Sequence, residues 1–264
     1  MLLAVNVGNT NTVLGVFRSA ELMWQWRIST QRERTADELA VVFGGLLEQQ
    51  ELSFTRQITG VAISSVVPTT TQALREMVTS YFSFPPVVVE PGTRTGVPIL
   101  TDNPREVGAD RIVNALAAFD AYGGPCIVID FGTATTYDVV SDKGEFLGGA
   151  IAPGIQVSNR SLASATARLP QVELHAPRSA IGRNTVEAIQ SALVFGTAAE
   201  TDGMIARMRA ELDTPAKAVA TGGLAPVVVP HCTQIDEMDP WLTLKGLRLV
   251  FERNVAAPVS ERDG

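Results

Sequence analysis

The stretch Asn6-Val7-Gly8-Asn9-Thr10-Asn11-Thr12 returns in similar form as Asp130-Phe131-Gly132-Thr133-Ala134-Thr135-Thr136. Each stretch follows a short apolar run, Leu2–Val5 in the first case and Cys126–Ile129 in the second, and precedes a strand-like run. Glycine, asparagine and threonine between two such runs are typical of a tight turn. Both stretches are therefore predicted to be turns that join two strands.

The two stretches coincide at a constant offset of 124 residues, which places Asn6 on Asp130, Gly8 on Gly132 and Thr12 on Thr136. A repeat of this length is far longer than a solenoid period and indicates a duplicated domain. Strand-sized apolar runs and helical patterns occur in both halves, which is typical of an α/β fold. The predicted division is an amino-terminal domain over residues 1–120 and a carboxyl-terminal domain over residues 121–264.

The predicted turns indicate a chemistry as well as a fold. A polar residue at the end of a strand, followed by glycine and threonine, presents several backbone N–H groups in one direction, and such a concavity binds anions. Two of these turns facing one another would hold a polyphosphate between the domains. The same residue types also form plain hairpin turns, and this alternative stays open for either turn taken alone.

The composition excludes several classes of protein. The chain has 264 residues and a net charge of −7, and this acidic balance argues against nucleic-acid binding, which needs clustered lysine and arginine. No apolar run approaches the ~18–20 residues that a membrane helix needs. The two cysteines are too few for a disulfide framework. We therefore expect a reduced, cytoplasmic protein without a membrane or nucleic-acid partner.

Two further sites carry residues that suit a ligand, although the P-loop and dinucleotide-binding motifs are absent from the sequence. Gly222 and Gly223 follow an apolar run, where they either let the backbone approach a flat nucleobase or form a plain strand-to-helix turn. Asp110 and Arg111 begin a predicted helix. The Asp110 carboxylate either accepts the proton of an attacking hydroxyl, with Arg111 binding an anion, or simply stabilises the first helical turn.

Seven motifs, in order along the chain, resemble those of the type III pantothenate kinases. They are Asn-Val-Gly-Asn-Thr-Asn-Thr at 6–12, Asn-Pro-Arg-Glu-Val-Gly-Ala-Asp-Arg at 103–111, Asp-Phe-Gly-Thr-Ala-Thr-Thr at 130–136, Gly-Gly-Ala-Ile-Ala-Pro-Gly at 148–154, Ile-Gly-Arg-Asn-Thr-Val-Glu-Ala at 181–188, Thr-Gly-Gly-Leu-Ala at 221–225 and Leu-Thr-Leu-Lys-Gly-Leu-Arg at 242–248. Each motif alone is unspecific, but together they span the chain in the order found in the family.

The resemblance implies the actin-like fold, in which two duplicated, ribonuclease H-like α/β domains bind ATP in the cleft between them. It also implies the transfer of a phosphoryl group from ATP to the primary hydroxyl of pantothenate, the first step of coenzyme A biosynthesis. Mg²⁺ and a monovalent cation, K⁺ or NH₄⁺, are the implied cofactors, and the implied assembly is a homodimer.

The resemblance also implies roles for single residues. Asp110 would be the general base, and Asp130 would bind the monovalent cation. The residues that would contact pantothenate are Thr101, Gly108, Ala109, Asp110, Arg111 and Thr185, the last of them at a dimer interface. The residues that would contact ATP and its Mg²⁺ are Asn6, Gly8, Asn9, Thr10, Asn11, Thr12, Val13 and Thr133. Thr185 has a structural role as well, since Asn184 and Glu187 predict a capping box that begins a helix there.

Two positions depart from the family pattern. The family has Asp where this chain has Asn6, and the internal repeat agrees, because the counterpart of Asn6 is Asp130. Asparagine keeps one carbonyl oxygen but lacks the negative charge that Mg²⁺ prefers in its ligands, so we expect ATP binding to persist and turnover to be reduced. Thr101 stands where many family members carry Tyr beside the pantothenate site, which leaves one substrate contact open.

Two other functions on the same fold are alternatives to the kinase. A non-enzymatic accessory protein would tolerate the weakened metal site and would bind ATP without binding pantothenate. A phosphohydrolase would release phosphate from ATP or polyphosphate without an acceptor. The ordered motifs favour the kinase.

Overall fold

The computed structural model describes residues 1–255, which form two compact units. Within the described residues, the first unit comprises Met1–Gly96, Arg105–Ala117 and residues 243–255, and the second comprises Val97–Pro104 and Ala118–Leu242. Each unit contains one five-stranded sheet.

The first sheet has the strand order β3-β2-β1-β4-β5. Its strands are β1 (Leu2–Val7), β2 (Asn11–Arg18), β3 (Glu21–Ser29), β4 (Gly60–Ser65) and β5 (Val87–Val88). The first three strands form an antiparallel meander, whereas β4 lies parallel to β1 and β5 lies parallel to β4. The carboxyl ends of β1 and β4 therefore meet at one edge of the sheet.

The second sheet repeats this arrangement as β8-β7-β6-β9-β10. Its strands are β6 (Cys126–Phe131), β7 (Ala134–Val140), β8 (Phe146–Pro153), β9 (Lys217–Thr221) and β10 (Glu237–Met238). Strands β6, β7 and β8 are antiparallel, while β9 and β10 run parallel to β6. The same order and the same directions in both sheets confirm the predicted α/β duplication.

The two hairpin turns differ in length by one residue. Val7 pairs with Thr12 in the first sheet, whereas Phe131 pairs with Thr135 in the second. The structural counterpart of Thr12 is therefore Thr135, and the match of Thr12 with Thr136 is wrong. A constant sequence offset cannot follow a turn that is one residue shorter.

Nine α-helices connect and flank these strands within residues 1–255. They are α1 (Ala36–Glu48), α2 (Phe54–Gln57), α3 (Pro68–Tyr81), α4 (Ala109–Tyr122), α5 (Ile155–Ala165), α6 (Thr185–Ser191), α7 (Thr197–Ala210), α8 (Ala225–Val228) and α9 (Leu242–Val255). A π-helical turn over Ala192–Gly196 lies between α6 and α7. None of the described helices is long and apolar enough to cross a membrane.

One face of the first sheet packs against α1 and α3. Leu3, Val5 and Val7 of β1 share this core with Leu39 of α1 and Leu74 of α3. Since side chains alternate along a strand, Asn6 lies on the opposite face.

The opposite face of the first sheet is covered by the last helix of the chain. A Cβ atom on Gly15 would lie 2.7 Å from Leu244 Cδ1, and one on Gly60 would lie 2.2 Å from Phe251 Cζ, so α9 crosses β2 and β4 at close range. The observed units thus differ from a division at residue 120, because α9 returns to the first unit and Val97–Pro104 joins the second. Helical periodicity does not reveal which sheet a distant helix will cover.

One face of the second sheet packs against the helices that follow β8. Ile127, Ile129 and Phe131 of β6 share a core with Ile155 of α5 and Ile205 of α7. Asp130 lies between Ile129 and Phe131 in the strand and therefore points to the other face, as Asn6 does in the first unit.

Candidate active site

The turn between β1 and β2 is held in place by a threonine that follows β3. The Gly8 N–H donates to the Asn11 carbonyl oxygen at 2.9 Å. The Thr30 hydroxyl donates to the Gly8 carbonyl oxygen at 2.8 Å, and the Thr30 N–H donates to the Thr10 carbonyl oxygen at 2.9 Å. Thr12 Oγ1 lies 2.9 Å from Thr30 Oγ1. These bonds fix the turn while leaving its outer surface available.

The tip of this turn is polar and exposed. Residues 9–11 are exposed, and Arg32 Nη2 donates to Asn9 Oδ1 at 3.1 Å, which places a positive charge beside the tip. A fixed turn with backbone N–H groups and a nearby guanidinium suits phosphate groups. Sequence reasoning missed Thr30 and Arg32. The signal for them was their position directly after β3, a strand that ends beside the start of β2.

Asn6 and Ser64 are register partners on the parallel strands β1 and β4. Asn6 Oδ1 and Ser64 Oγ are buried, and neither atom has a hydrogen-bond partner within residues 1–255. Buried polar atoms are rarely left without a partner, so an external group is needed to complete the pair. Two neutral oxygen acceptors suit a hydrated Mg²⁺ ion, which usually keeps several of its waters. The residues present therefore fit Mg²⁺ bound through its water shell.

Asp110 lies in the first turn of α4, half-buried. Its Oδ1 accepts a hydrogen bond from the Arg111 N–H at 2.9 Å. Burial raises the pKa of the Asp110 carboxyl above its ordinary value, while this hydrogen bond and the charge of Arg111 oppose the rise. A Cβ atom on Gly108 would lie 2.6 Å from Asp110 Oδ1, so a glycine is needed for the carboxylate to keep this position.

In the first unit, α9 lies in contact both with the sheet face of Asn6 and with α4, the helix of Asp110. Asn6 pairs with Val13, two residues from Gly15, and both lie on the face that α9 covers. Helix α4 in turn packs against α9, where a Cβ atom on Gly246 would lie 2.1 Å from the Val113 carbonyl oxygen. Helix α4, which begins with Ala109 and Asp110, thus packs against the same helix that covers the sheet face of Asn6.

In the second unit, Asp130 is the last residue but one of β6 and lies within a cradle of glycines. A Cβ atom on Gly222 would lie 2.4 Å from Asp130 Oδ1, and one on Gly132 would lie 3.4 Å from the same oxygen. Gly222 has a φ of +95°, a conformation that side chains rarely allow. A carboxylate with backbone close on two sides offers the oxygen ligands that a hard cation needs, so Asp130 fits the monovalent cation implied above.

The turn that carries Thr133 lies against the start of α5. The Gly154 N–H donates to the Thr133 carbonyl oxygen at 3.2 Å, and a Cβ atom on Gly154 would lie 2.4 Å from that oxygen. Thr133 is exposed. The second turn is therefore held by a helix start, whereas the first is held by a threonine, and sequence reasoning anticipated neither support.

Thr101 and Thr185, the outlying members of the implied pantothenate site, both belong to the second unit. Thr101 Oγ1 is buried without a hydrogen-bond partner in the described part of the chain. Thr185 is exposed at the first position of α6, with the exposed apolar side chains of Ile181 and Val186 nearby in sequence. The remaining implied pantothenate residues, Gly108 to Arg111, lie in the first unit.

Of the two hydrogen bonds in the capping box predicted before Thr185, only the one accepted by the Asn184 side chain is formed. Asn184 Oδ1 accepts from the Glu187 N–H at 2.9 Å, as predicted. The Glu187 carboxylate, however, accepts from the Arg183 N–H at 3.0 Å and from the Arg178 guanidinium at 2.8 Å. A nearby positive charge competes with the N-cap amide for the carboxylate, which corrects the prediction of a reciprocal box.

The structure resembles solved kinases of the same fold. A ROK hexokinase from Thermus thermophilus matches with a TM-score of 0.53 and 14% sequence identity, and the match covers 97% of this chain and 99% of that one. At this identity the likeness concerns the fold, and it confirms the predicted actin-like fold.

Sequence relatives are much closer. A type III pantothenate kinase of Frankia casuarinae is 56% identical over 256 residues, which cover 97% of this chain and 100% of the relative. A type III pantothenate kinase of Acidothermus cellulolyticus is 55% identical over 256 residues, which cover 97% of this chain and 99% of the relative. The family model for type III pantothenate kinase matches residues 2–207. The chain belongs to the type III pantothenate kinase family.

Proposed function

We propose that this chain transfers the γ-phosphoryl group of ATP to the primary hydroxyl of pantothenate. The observation that carries the proposal is the half-buried Asp110 carboxylate at the start of α4, a helix that packs against the one covering the sheet face of Asn6 and Ser64. Phosphoryl transfer needs positioning and charge neutralisation more than covalent chemistry. A fixed phosphate-binding turn and a proton acceptor on one unit provide these two requirements.

The proton acceptor in this proposal is Asp110. Its carboxylate would accept the hydroxyl proton of pantothenate as the oxygen attacks, and the raised pKa brings the carboxyl closer to the pH at which it works. Arg111 would bind the pantothenate carboxylate as an ion pair. Gly108 leaves the space in which the Asp110 carboxylate lies.

The phosphate groups of ATP would bind to the turn of residues 8–12. Its N–H groups and hydroxyls are donors, and Arg32 adds positive charge at the tip. Asn6 and Ser64 would hold Mg²⁺ through its waters, and Asp130 would hold K⁺ or NH₄⁺. Because the chain has a net charge of −7, bound Mg²⁺ would supply the positive charge that neutralises the phosphate groups of ATP.

Asn6 is expected to limit the rate. An aspartate at this position would add a unit negative charge to the metal site, whereas Asn6 contributes a neutral oxygen. The loss of one strong electrostatic contact of this kind costs about 10²–10³ in turnover. We therefore propose a kinase with reduced activity that Asn6→Asp increases.

The test is a side-by-side assay of the chain, Asn6→Asp and Asp110→Asn. ADP release that depends on pantothenate, Mg²⁺ and K⁺ or NH₄⁺ is expected for the chain, with a higher rate for Asn6→Asp and little activity for Asp110→Asn. Absence of pantothenate-dependent ADP release from Asn6→Asp would refute the kinase. Calorimetry then separates the alternatives, because an accessory protein binds ATP without pantothenate.

We also propose that the chain acts as a homodimer in the cytoplasm. Ile151 and Ile181 of the second unit are 65% and 82% exposed, and such apolar side chains are typical of surfaces that a second copy covers. Thr185 follows Ile181 closely in sequence, which supports a pantothenate site completed at the interface. Both cysteines are free thiols, as expected in a reducing compartment.

A further inference from the structure

Ser64 is a fully buried polar residue for which the family resemblance supplied no role. Its side chain is 0% exposed, and its Oγ has no hydrogen-bond partner among residues 1–255. A serine hydroxyl in such a position is costly unless a bound group completes its hydrogen bonds. Alanine would fill nearly the same space without this cost, so the hydroxyl itself calls for an explanation.

Asn6, the residue beside Ser64 on the adjacent strand, also has a buried side-chain oxygen without a hydrogen-bond partner in the described chain. This atom is Asn6 Oδ1, and the two residues are register partners on β1 and β4. Register partners on adjacent strands lie about 4.8 Å apart and place their side chains on the same face. Two unsatisfied oxygens therefore belong to neighbouring residues on the same face of the sheet, near the carboxyl ends of β1 and β4.

The second unit repeats this pairing. Asp130 on β6 is the register partner of Thr221 on β9, and Thr221 is 1% exposed. In both units a residue with a side-chain oxygen near the end of the first strand is thus the register partner of a buried hydroxyl residue near the end of the fourth strand. A hydroxyl at this position in both halves of a duplicated fold supports a role at the ligand site over an accident of packing.

The chemistry of the two oxygens selects the group that would lie between them. Asn6 Oδ1 is an acceptor and cannot donate, so a phosphate oxygen would not complete it. A water molecule bound to a cation is a strong donor of two hydrogen bonds and spans two acceptors about 5 Å apart. Mg²⁺ keeps such waters when it binds to proteins.

We propose that Ser64 Oγ and Asn6 Oδ1 together accept hydrogen bonds from one water of the hydrated Mg²⁺ that accompanies ATP, which makes Ser64 a positioning residue of the metal site. The inference rests on the proposed function, since it needs a nucleotide bound with Mg²⁺. Asn6 contributes one neutral acceptor to this water, and the hydroxyl of Ser64 provides the second acceptor in the first unit.

The experiment measures nucleotide binding without turnover. Calorimetry gives the Kd of the non-hydrolysable analogue AMPPNP with Mg²⁺ and with EDTA, for the full chain and for Ser64→Ala. We expect Ser64→Ala to raise the Kd about fivefold with Mg²⁺, the effect of one hydrogen bond, and to leave the Kd in EDTA unchanged. Ser64→Cys, which keeps the size but weakens the acceptor, should show the same selective rise.

Ser65→Ala is the matched control. Ser65 is the next residue in the chain, and Ser65→Ala removes the same hydroxyl group. Because Ser65 Oγ already accepts a hydrogen bond from the Val67 N–H, neither the Kd with Mg²⁺ nor the Kd in EDTA should change. A double-mutant cycle with Asn6→Ala should show effects that are less than additive, because both side chains hold the same water.

The outcomes separate the two claims. An equal change with and without Mg²⁺, or no change in Ser64→Ala, overturns the role of Ser64 while the kinase stands. Failure of the full chain to bind AMPPNP in either condition overturns the proposed function instead. Additive effects in the double-mutant cycle also overturn the shared water.

Discussion

Gly108 is the residue that most directly controls the position of the proposed base. Because a Cβ atom there would lie 2.6 Å from Asp110 Oδ1, Gly108→Ala must displace the carboxylate. We expect turnover to fall about 10–100-fold, since a shift of ~1 Å in a catalytic group has an effect of this order. Steady-state kinetics with pantothenate would measure the loss, and urea unfolding would show that the free energy of unfolding changes by less than about 1 kcal/mol.

Gly203→Ala is the control for this substitution. Gly203 lies exposed in α7, and a Cβ atom there meets nothing within 4 Å. Its replacement should raise the free energy of unfolding by about 0.5–1 kcal/mol and leave the kinetics unchanged. Normal turnover in Gly108→Ala would argue against Asp110 as the base.

Asp110 also makes folding stability depend on pH. Burial raises the pKa of its carboxyl in the folded state above the unfolded value, so the folded chain binds this proton more tightly. The contribution of Asp110 to the free energy of unfolding is therefore largest below the ordinary carboxyl pKa and declines as pH rises through the raised pKa. Asp110→Asn should be more stable than the unaltered chain at pH 7, and the difference should disappear in acid.

Urea unfolding of both proteins at several pH values between 3 and 8 would measure this difference. Asp142→Asn, which changes an aspartate elsewhere in the chain, is a control for the loss of one negative charge. An equal gain for Asp110→Asn at all pH values would contradict the linkage.

Residue types at strand ends could be predicted, but their partners could not. Asn6 and Asp130 stood out in the sequence because each ends an apolar run and precedes a glycine. Ser64 carried a comparable signal, since it ends the run from Gly60, but its importance depends on lying beside Asn6 across two parallel strands. Strand register is a tertiary property, which local periodicity does not contain.

At the scale of secondary-structure elements, α9 shows a related limit. Its helical character follows from its own sequence, but its place on the first sheet depends on small residues far away in the chain. Gly15 and Gly60 permit its approach to the strands, and Gly246 permits its approach to α4. The sequence repeat could therefore predict two sheets without predicting that the last helix returns to the first.

The contact between α9 and α4 leads to a prediction about stability. A Cβ atom on Gly246 would lie 2.1 Å from the Val113 carbonyl oxygen, a backbone atom that cannot rotate away. Gly246→Ala should force the helices apart and lower the free energy of unfolding by about 2–3 kcal/mol. Because α4 carries Asp110, turnover of the folded fraction should fall as well.

Gly45→Ala in α1 separates this effect from helix propensity. Gly45 is exposed and a Cβ atom there meets nothing within 4 Å, so the same substitution should stabilise the chain slightly. Chemical denaturation of both variants tests the pair. A gain in stability for Gly246→Ala would show that the close helix contact is not required.

At the scale of the whole molecule, the duplication suggests how the proposed enzyme would bind anionic substrates although the chain is acidic. Each half repeats the same strand order and carries a polar residue, Asn6 or Asp130, just before the last residue of its first strand, so each half would offer one local cation site in the proposed enzyme. Charge compensation in the proposed enzyme is therefore local, and the net charge of −7 does not oppose ATP binding.

The proposed homodimer leads to the prediction that concerns the whole assembly. Ile151 lies on the edge strand β8 and is 65% exposed, and Ile181 precedes α6 and is 82% exposed. Replacing either residue with Asp should leave folding intact, because exposed side chains contribute little to stability, but should weaken an apolar interface. We expect sedimentation velocity to show a dimer for the unaltered chain and monomers for Ile151→Asp or Ile181→Asp. The KM for pantothenate should rise in the monomeric variants, since Thr185 would no longer meet a second copy.

Val41→Asp is the matched control, because Val41 is 75% exposed but lies on α1 of the first unit, and that variant should remain dimeric. A monomeric unaltered chain with normal pantothenate affinity would contradict both the dimer and the role of Thr185 in it.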